Sequence, residues 1–403
     1  MAGSFASQCS VAELQHKRLR HFTSVLKRAV NHEAIKAVEH RFSKVLAMAT
    51  RPVEAIDPAL SVGRPSGLSD PRFAIGGPRF DALFFWGAPL IALLCVQVWL
   101  RLSLTLSEAA SSAMAVGLVL FSAILTYAHL VAVVPRAYLN PDVFMANRLK
   151  LTIVPVLLLT GLFVSPALLA IGGAVAIFWD IHHSAMQNFG LSRIYDMKAG
   201  NDAETLRKTD LRLNWVLYVG PLAAGASLMI HLHALDRLDG IGLGWLARLP
   251  GVLSGHVSLI SGVAIAAWVG TISWTVLDYR KAIANGYKIP AHKLALVGST
   301  GLVSLVAWGF SSPLIALVSI NIYHAVQYFA LVWLKEGQRM TIFSRKTPRA
   351  TFLAFCAACV VVGVLYQLAT KADIKGLMAP FIACSLLHFW YDSFVWSVRK
   401  KQV

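Results

Sequence analysis

Charged residues are scarce in this 403-residue chain, at 14% of the sequence, whereas ordinary soluble domains carry about 25%. Apolar residues make up 57%, and the mean hydropathy is +0.62. Because so few charges cannot cover a protein surface against water, the composition excludes an ordinary soluble protein. It indicates a membrane protein with several spans.

The signatures of common soluble enzymes are also missing. The sequence has no Walker phosphate loop, no dinucleotide-binding glycine pattern after a strand, no nucleophile elbow and no HExxH zinc motif. The five cysteines have no metal-knuckle spacing, and Cys356 and Cys359 lie inside an apolar run. We therefore interpret the cysteines as small core residues.

Apolar stretches long enough to cross a bilayer follow one another from Ala82 onward. We count ten, and only the region of Pro166 separates the third from the fourth. They predict an all-α, polytopic transmembrane helical bundle over residues 76–403. The ten predicted spans are 82–100, 110–134, 151–168, 169–190, 213–233, 253–277, 292–311, 313–334, 350–369 and 377–397.

Residues 1–75 form the one extended stretch that has a soluble character. Apolar residues recur there at helical spacing from Val11 to Met48, and prolines from Pro52 onward end the pattern. This predicts one or two cytoplasmic amphipathic helices with a basic polar face. They lie either on the anionic membrane surface or against the chain's own loops.

Basic residues give the chain its orientation and account for its net charge of +17. They gather in alternate loops, for example at Arg193 and Lys198 and again at Arg345 and Lys346, as cytoplasmic loops do. With ten spans, both termini are then cytoplasmic. We expect an integral protein of a bacterial inner membrane, and no nucleic-acid partner.

Ionisable side chains inside a span are costly and usually functional. Of the twenty acidic residues, only Asp180 and Asp392 fall inside predicted spans, and each has histidine within one helical turn. Asp180 precedes His182 and His183, and Asp392 follows His388. These two segments are therefore the first candidates for a functional site.

Four histidines share a common depth in the predicted spans. Each lies seven to eleven residues before a basic residue at the end of its span. At 1.5 Å per residue, that distance is roughly 10–17 Å from the cytoplasmic boundary. Independent core histidines have no reason to share one layer, so we predict a metal site, with His182 as a further candidate ligand. The four are His129, His183, His324 and His388.

Polar residues follow or precede these histidines at helical spacing, so that each pair shares a helix face. We expect the carboxylates to orient the imidazoles and the amides to position bound oxygen. Carboxylate and imidazole together favour iron or zinc over copper. The candidate catalytic residues are Asp180, Gln187, Gln327 and Asp392.

Histidines that converge from several transmembrane helices near the cytoplasmic face resemble those of the integral-membrane iron oxygenases. Over roughly residues 120–400 the architecture is similar to that of the bacterial β-carotene-cleaving dioxygenases. More loosely, it is similar to the fatty-acid desaturase and hydroxylase superfamily. The HxxxH and HxxHH boxes of the desaturases are absent, because His182 and His183 are a bare pair and His324 and His388 stand alone. The resemblance therefore implies an iron site that is mononuclear, with a dinuclear site as the alternative.

These observations predict an intramembrane iron-dependent oxygenase or oxidoreductase. Its expected partners are the bilayer, a lipid or isoprenoid-like substrate, dioxygen and an electron donor. Zinc, with an aspartate as general base, and haem, with two axial imidazoles, are the alternative cofactors. A proton-coupled transporter and a scaffold subunit are the alternative functions. His231, His233 and His256 are an alternative zinc site on the opposite face.

Overall fold

The structure is a computed structural model that describes residues 67–103, 105–225, 227–311, 313–371 and 375–396. Within these ranges the chain is helical and contains no β-strand, which confirms the predicted all-α class. The amphipathic helices that we predict between Val11 and Met48 lie outside the described residues.

The α-helices follow one another with short connections. In chain order they are α1 (Pro78–Phe84), α2 (Ala88–Ser103), α3 (Glu108–Val131), α4 (Val134–Tyr138), α5 (Pro141–Val164), α6 (Pro166–Lys198), α7 (Arg207–Ala224), α8 (Ser227–Leu232), α9 (Gly244–Ala247), α10 (Leu249–Ser254), α11 (Val257–Ala284), α12 (Ala291–Phe310), α13 (Pro313–Ser344), α14 (Pro348–Lys371) and α15 (Lys375–Val395). A 3-10 helix, His233–Ile241, connects α8 to α9.

Each predicted span falls on one of these long helices or on a bent helix pair. Seven described helices are long and apolar enough to cross a membrane, and the number rises to nine if each of two bent pairs is one span. The helix α15 is not among them, since His388 and Asp392 lower its hydropathy. The structure is compatible with an integral membrane protein, and the count of ten spans stays a prediction.

The helices are interrupted where the backbone packs closely on a neighbouring helix or where a proline has no N–H group to donate. The fifth predicted span is not one straight helix, because α7 ends at Ala224 and the chain turns by 98°. A Cβ on Gly225 would lie 2.2 Å from the carbonyl oxygen of Trp308, so the turn packs directly on α12. The division between α5 and α6 lies near Pro166 as predicted, where the Ser165 side chain accepts a hydrogen bond from the Leu168 N–H.

Large apolar side chains cover the outside of the bundle. Val156 and Leu157 on α5 are 64% and 65% exposed, and Leu259 and Val263 on α11 are 66% and 61% exposed. Soluble proteins rarely expose apolar patches of this extent. These faces are suited to contact with lipid chains.

Three basic residues mark one end of the bundle, which we call the basic end: Arg136, Arg193 and Lys293. The helices α3, α6, α11, α13 and α15 run toward this end, and α5, α7, α12 and α14 start from it. A buried ion pair of 2.6 Å between Arg136 Nη1 and Glu336 Oε1 joins α4 to α13 there.

Candidate metal centre

Four helices each bring one histidine to the same place in the interior. The rings belong to His129 on α3, His183 on α6, His324 on α13 and His388 on α15. All four side chains are buried, with residue exposures between 1% and 3%. The apolar spans fix this arrangement, because their buried faces pack into one core and carry the histidines with them. One core cluster that joins α3, α13 and α15 contains Ala128, Ala132, Tyr328, Val332, Tyr391 and Val395.

The imidazole rings contact one another directly. The ring centroids of His129 and His324 are 4.8 Å apart, as are those of His183 and His324. The ring of His388 lies 5.0 Å from that of His129 and 4.8 Å from that of His183. The common layer that the sequence predicts is therefore a cluster in three dimensions.

Most ring nitrogens in this cluster have no hydrogen-bond partner among the described residues. Both nitrogens of His129 and of His324, and Nδ1 of His388, are buried and unpaired. A buried polar atom without a partner costs about 1–3 kcal/mol. Three neighbouring rings with unpaired nitrogens are the arrangement expected of ligands whose partner is an ion, which takes one nitrogen from each ring.

The donor set fits a metal ion that prefers nitrogen. One nitrogen each from His129, His183 and His388 lies within 4.8 Å of the others. Nitrogens that share one ion at about 2.1 Å are at most about 4 Å apart. Small rotations of these rings would close the difference. The Nε2 atoms of His183 and His388 already approach to 3.2 Å.

Asp392 lies at the edge of the cluster and contacts it with one oxygen. Its Oδ1 accepts hydrogen bonds from the Tyr328 hydroxyl at 2.7 Å and from Trp396 Nε1 at 3.1 Å. Its Oδ2 lies 3.8 Å from Nδ1 of His183 and 3.7 Å from Nε2 of His388. These last distances exceed a hydrogen bond, so Oδ2 faces the imidazoles without yet binding them.

The two glutamines stabilise the helix packing beside the cluster. Gln187 Nε2 donates to the carbonyl oxygen of His324 and to Gln327 Oε1, each at 3.0 Å. Gln327 Nε2 donates to the carbonyl oxygen of Phe85 at 2.9 Å. They therefore connect α6, α13 and the end of α1. Among the side-chain atoms of these two glutamines in the described structure, only Gln187 Oε1 is buried without a hydrogen-bond partner. Their predicted role toward oxygen stays a prediction.

Two predicted site residues lie apart from the cluster. His182 is exposed, because its neighbour His183 points inward and adjacent helical residues diverge by about 100°. Asp180 is half-buried and forms no hydrogen bond or ion pair with any described residue. Neither residue contributes to the ring contacts above.

The histidines near the opposite end do not form a second cluster in the described part of the chain. His231 Nδ1 lies 2.8 Å from the carbonyl oxygen of Ser227, and His233 Nδ1 lies 3.0 Å from Asp236 Oδ2. His256 Nδ1 lies 3.2 Å from the carbonyl oxygen of Val252. Each ring forms its hydrogen bond within its own local segment, and the His231 ring also packs on that of Trp308, with centroids 5.5 Å apart.

A buried ionic network lies at the basic end, and the sequence analysis missed it. Lys293 Nζ contacts Asp196 Oδ2 at 2.6 Å and Asp210 Oδ2 at 2.8 Å, and Arg193 Nη1 contacts the same two carboxylates at 2.6 Å. Tyr287 donates to Asp196, and burial raises the pKa of this hydroxyl above its usual range. The network holds α6, α7 and α12 together above the site. Its only signal in the sequence is acidic and basic residues at predicted span ends.

A cavity of about 520 Å³ adjoins the cluster and is lined by His183, Tyr328 and Asp392. Ligand pockets usually measure about 300–1,000 Å³, so a small molecule fits beside the imidazoles. The chain matches no protein-family model, no curated protein and no solved structure. The geometry of the site therefore carries the functional argument.

Proposed function

We propose that this protein is an intramembrane iron-dependent oxygenase that acts on a lipid or isoprenoid-like substrate. The observation that supports it is the buried cluster of four imidazoles, five of whose eight ring nitrogens lack partners in the described chain, beside a cavity of about 520 Å³. His129, His183 and His388 would hold the ion, and His324 adjoins them. Iron in such a site activates dioxygen for reaction with an unactivated hydrocarbon.

The residues around the ion have separate tasks in this proposal. Asp392 is held by Tyr328 and Trp396, and its Oδ2 would orient His183 and His388 once the gaps of 3.8 and 3.7 Å to these rings close. The apolar wall of the cavity, which includes Phe389, keeps water from the reacting chain and holds the substrate beside the imidazoles.

The same geometry disfavours haem. His129 and His183 have ring centroids 6.3 Å apart, a separation that would suit two axial ligands. However, His324 and His388 lie within 5.0 Å of His129, in the space that a flat macrocycle would need. An ion bound directly by imidazoles is the cofactor that fits.

The test is the metal content of detergent-purified protein from cells grown with iron, together with its optical spectrum. We expect about one iron ion per chain and no Soret band. The ion should be lost in His388→Ala and kept in His182→Ala, because only the first of these rings lies in the cluster. His182→Ala is a matched control, since it removes an imidazole from the same part of the bundle.

Other outcomes would overturn the proposal in different directions. Zinc at the same residues would indicate hydrolysis, with Asp392 as the base. A Soret band would indicate haem. The absence of any metal, or equal retention in both variants, would make a proton-coupled transporter the better hypothesis.

A further inference from the structure

The side chains that line the cavity beside the histidine cluster change along α6 from imidazole to aromatic and cationic groups. The imidazole of His183 lines one part of it, and Phe189 follows six residues later, about 9 Å farther along the helix axis. The Arg207 guanidinium lies over the Phe189 ring, 5.8 Å from its centroid, and lines the same cavity. A cation therefore lies several carbon–carbon bonds away from the proposed metal ion.

Arg207 differs from the other arginine of this cavity. Arg193 is neutralised, because it contacts Asp196 and Asp210 at 2.6 Å. Arg207 is half-buried and forms no ion pair with any carboxylate in the described ranges. An arginine whose planar fork forms no such pair in the described ranges is well suited to a carboxylate or phosphate group. Asp202 in the connecting loop instead accepts hydrogen bonds from the backbone N–H groups of Glu204 and Thr205, which lower its pKa.

A second cavity of about 540 Å³ continues in the other direction along α6. It shares Trp179 and His182 with the first cavity, so the two adjoin at these residues. It extends to Ile171, twelve residues or about 18 Å before His183, and the 3-10 helix closes it with Leu238. Apart from His182, all of its lining residues are apolar.

We propose that the two cavities form one channel for a single-chain amphiphile with an anionic end group. Arg207 binds the carboxylate or phosphate, the chain passes the histidine cluster, and its tail lies between α6 and the 3-10 helix. The inference rests on the proposed function only in taking this ligand as the substrate. Binding itself requires no metal, and the reacting carbon would lie within the chain and away from the end group.

The experiment measures binding to the metal-free, delipidated protein in detergent by displacement of a fluorescent fatty acid. The probes are tetracosanoate, tetracosyl phosphate, the neutral alcohol tetracosanol, and the short acid dodecanoate. Arg207→Gln should weaken both long anions roughly ten- to a hundredfold and leave the alcohol unchanged, because a charge-assisted contact is lost. Lys208→Gln removes the same charge from the adjacent, exposed residue and should change nothing.

A second variant tests the cavity of about 540 Å³, which would hold the tail of the ligand. Leu246→Trp fills it and should weaken tetracosanoate while dodecanoate binds as before, whereas Leu246→Ala should keep both. Unchanged dodecanoate binding also reports that the variant is folded. A preference between the carboxylate and the phosphate identifies which end group the channel accepts.

Equal losses for the anions and the alcohol in Arg207→Gln, or equal effects of Arg207→Gln and Lys208→Gln, would overturn the anionic site. Equal losses for long and short acids in Leu246→Trp would overturn the channel. The experiments distinguish a failure of the proposed metal site from a failure of the proposed channel. Ligand binding by a chain that never holds iron supports the channel alone, and iron in a chain that binds no probe supports the metal site alone.

Discussion

Asp392 divides its two carboxylate oxygens between different partners, and this division predicts its role. Oδ1 is held by Tyr328 and Trp396, while Oδ2 faces His183 and His388. Since carboxylates that orient metal-bound imidazoles contribute about 10- to 100-fold in metal affinity, Asp392→Asn should weaken metal binding by that factor. Titration with a competing chelator measures it.

Asp180 provides the control for this prediction. It is the only other acidic residue in the histidine-bearing part of the predicted spans, and it makes no polar contact with a described residue. Asp180→Asn should therefore leave the metal affinity unchanged. If both substitutions weaken binding equally, Asp392 does not act through the imidazoles that it faces.

At the scale of single residues, the sequence predicted how far each histidine lies along its span better than it predicted which way the side chain points. The constant rise of a helix converts residue number into depth, so His129, His183, His324 and His388 could be placed in one layer before any contact was known. The rotation of each helix depends on tertiary packing. For that reason the sequence could not separate His182 from His183.

Helix α14 is packed against α3 with no room for a side chain at one point. A Cβ on Gly363 would lie 2.2 Å from the carbonyl oxygen of Ile124, five residues before His129. Gly363→Ala should therefore force the two helices apart and lower the free energy of unfolding by at least about 1–3 kcal/mol. Denaturant titration in detergent micelles measures the change.

Gly262→Ala is the matched substitution for this test. Gly262 lies in the second turn of α11, and a Cβ there meets no atom within 4 Å. Alanine should be neutral there or stabilise the helix by up to about 1 kcal/mol. A loss of the same size at both positions would contradict the close packing of α3 and α14.

The ionic network makes the contacts among α6, α7 and α12 depend on one amine. Lys293 is 2% exposed and contacts both Asp196 and Asp210. Lys293→Ala would leave the two carboxylates with Arg193 as their one remaining cationic partner in the network, and breaking a buried ion pair costs about 3–5 kcal/mol. The midpoint of thermal unfolding should fall accordingly.

A more exposed ion pair between α7 and α11 sets the scale for comparison. Arg212 and Asp278 approach to 2.8 Å, but their side chains are 28% and 24% exposed. Arg212→Ala should cost only about 0–1 kcal/mol, as other exposed ion pairs do. Comparable losses in Lys293→Ala and Arg212→Ala would show that the network contributes no more than a surface contact.

The elements themselves were largely predictable, and their interruptions were not. Long apolar runs with few charges must form helices, because only helices satisfy the backbone of such segments in a membrane. The turn after Ala224 depends on the proximity of Gly225 to Trp308, and the network depends on Asp196 and Lys293 meeting across 97 positions. Contacts between distant residues leave no periodic signal in one sequence.

The alternation of helix direction predicts which loops share a side of the membrane. Lys346 is exposed at the basic end and Asp239 is exposed in the 3-10 helix at the opposite end. Since cytoplasmic loops are rich in Lys and Arg, Lys346→Cys should react with a membrane-impermeant maleimide only after the cells are opened. Asp239→Cys should react in intact cells with a permeable outer membrane, above the labelling of the unsubstituted chain. The reverse pattern would invert the orientation.

The four imidazoles of the cluster are spread over 260 residues, from His129 to His388. During synthesis, the first of them enters the membrane long before the last has been translated. The set of four imidazoles is complete only when α15 has joined the bundle, so an ion held as proposed would be acquired after insertion and would not guide it. Until then the earlier helices must hold three of these rings without the fourth, and capture of the proposed ion would be the step that marks a finished molecule.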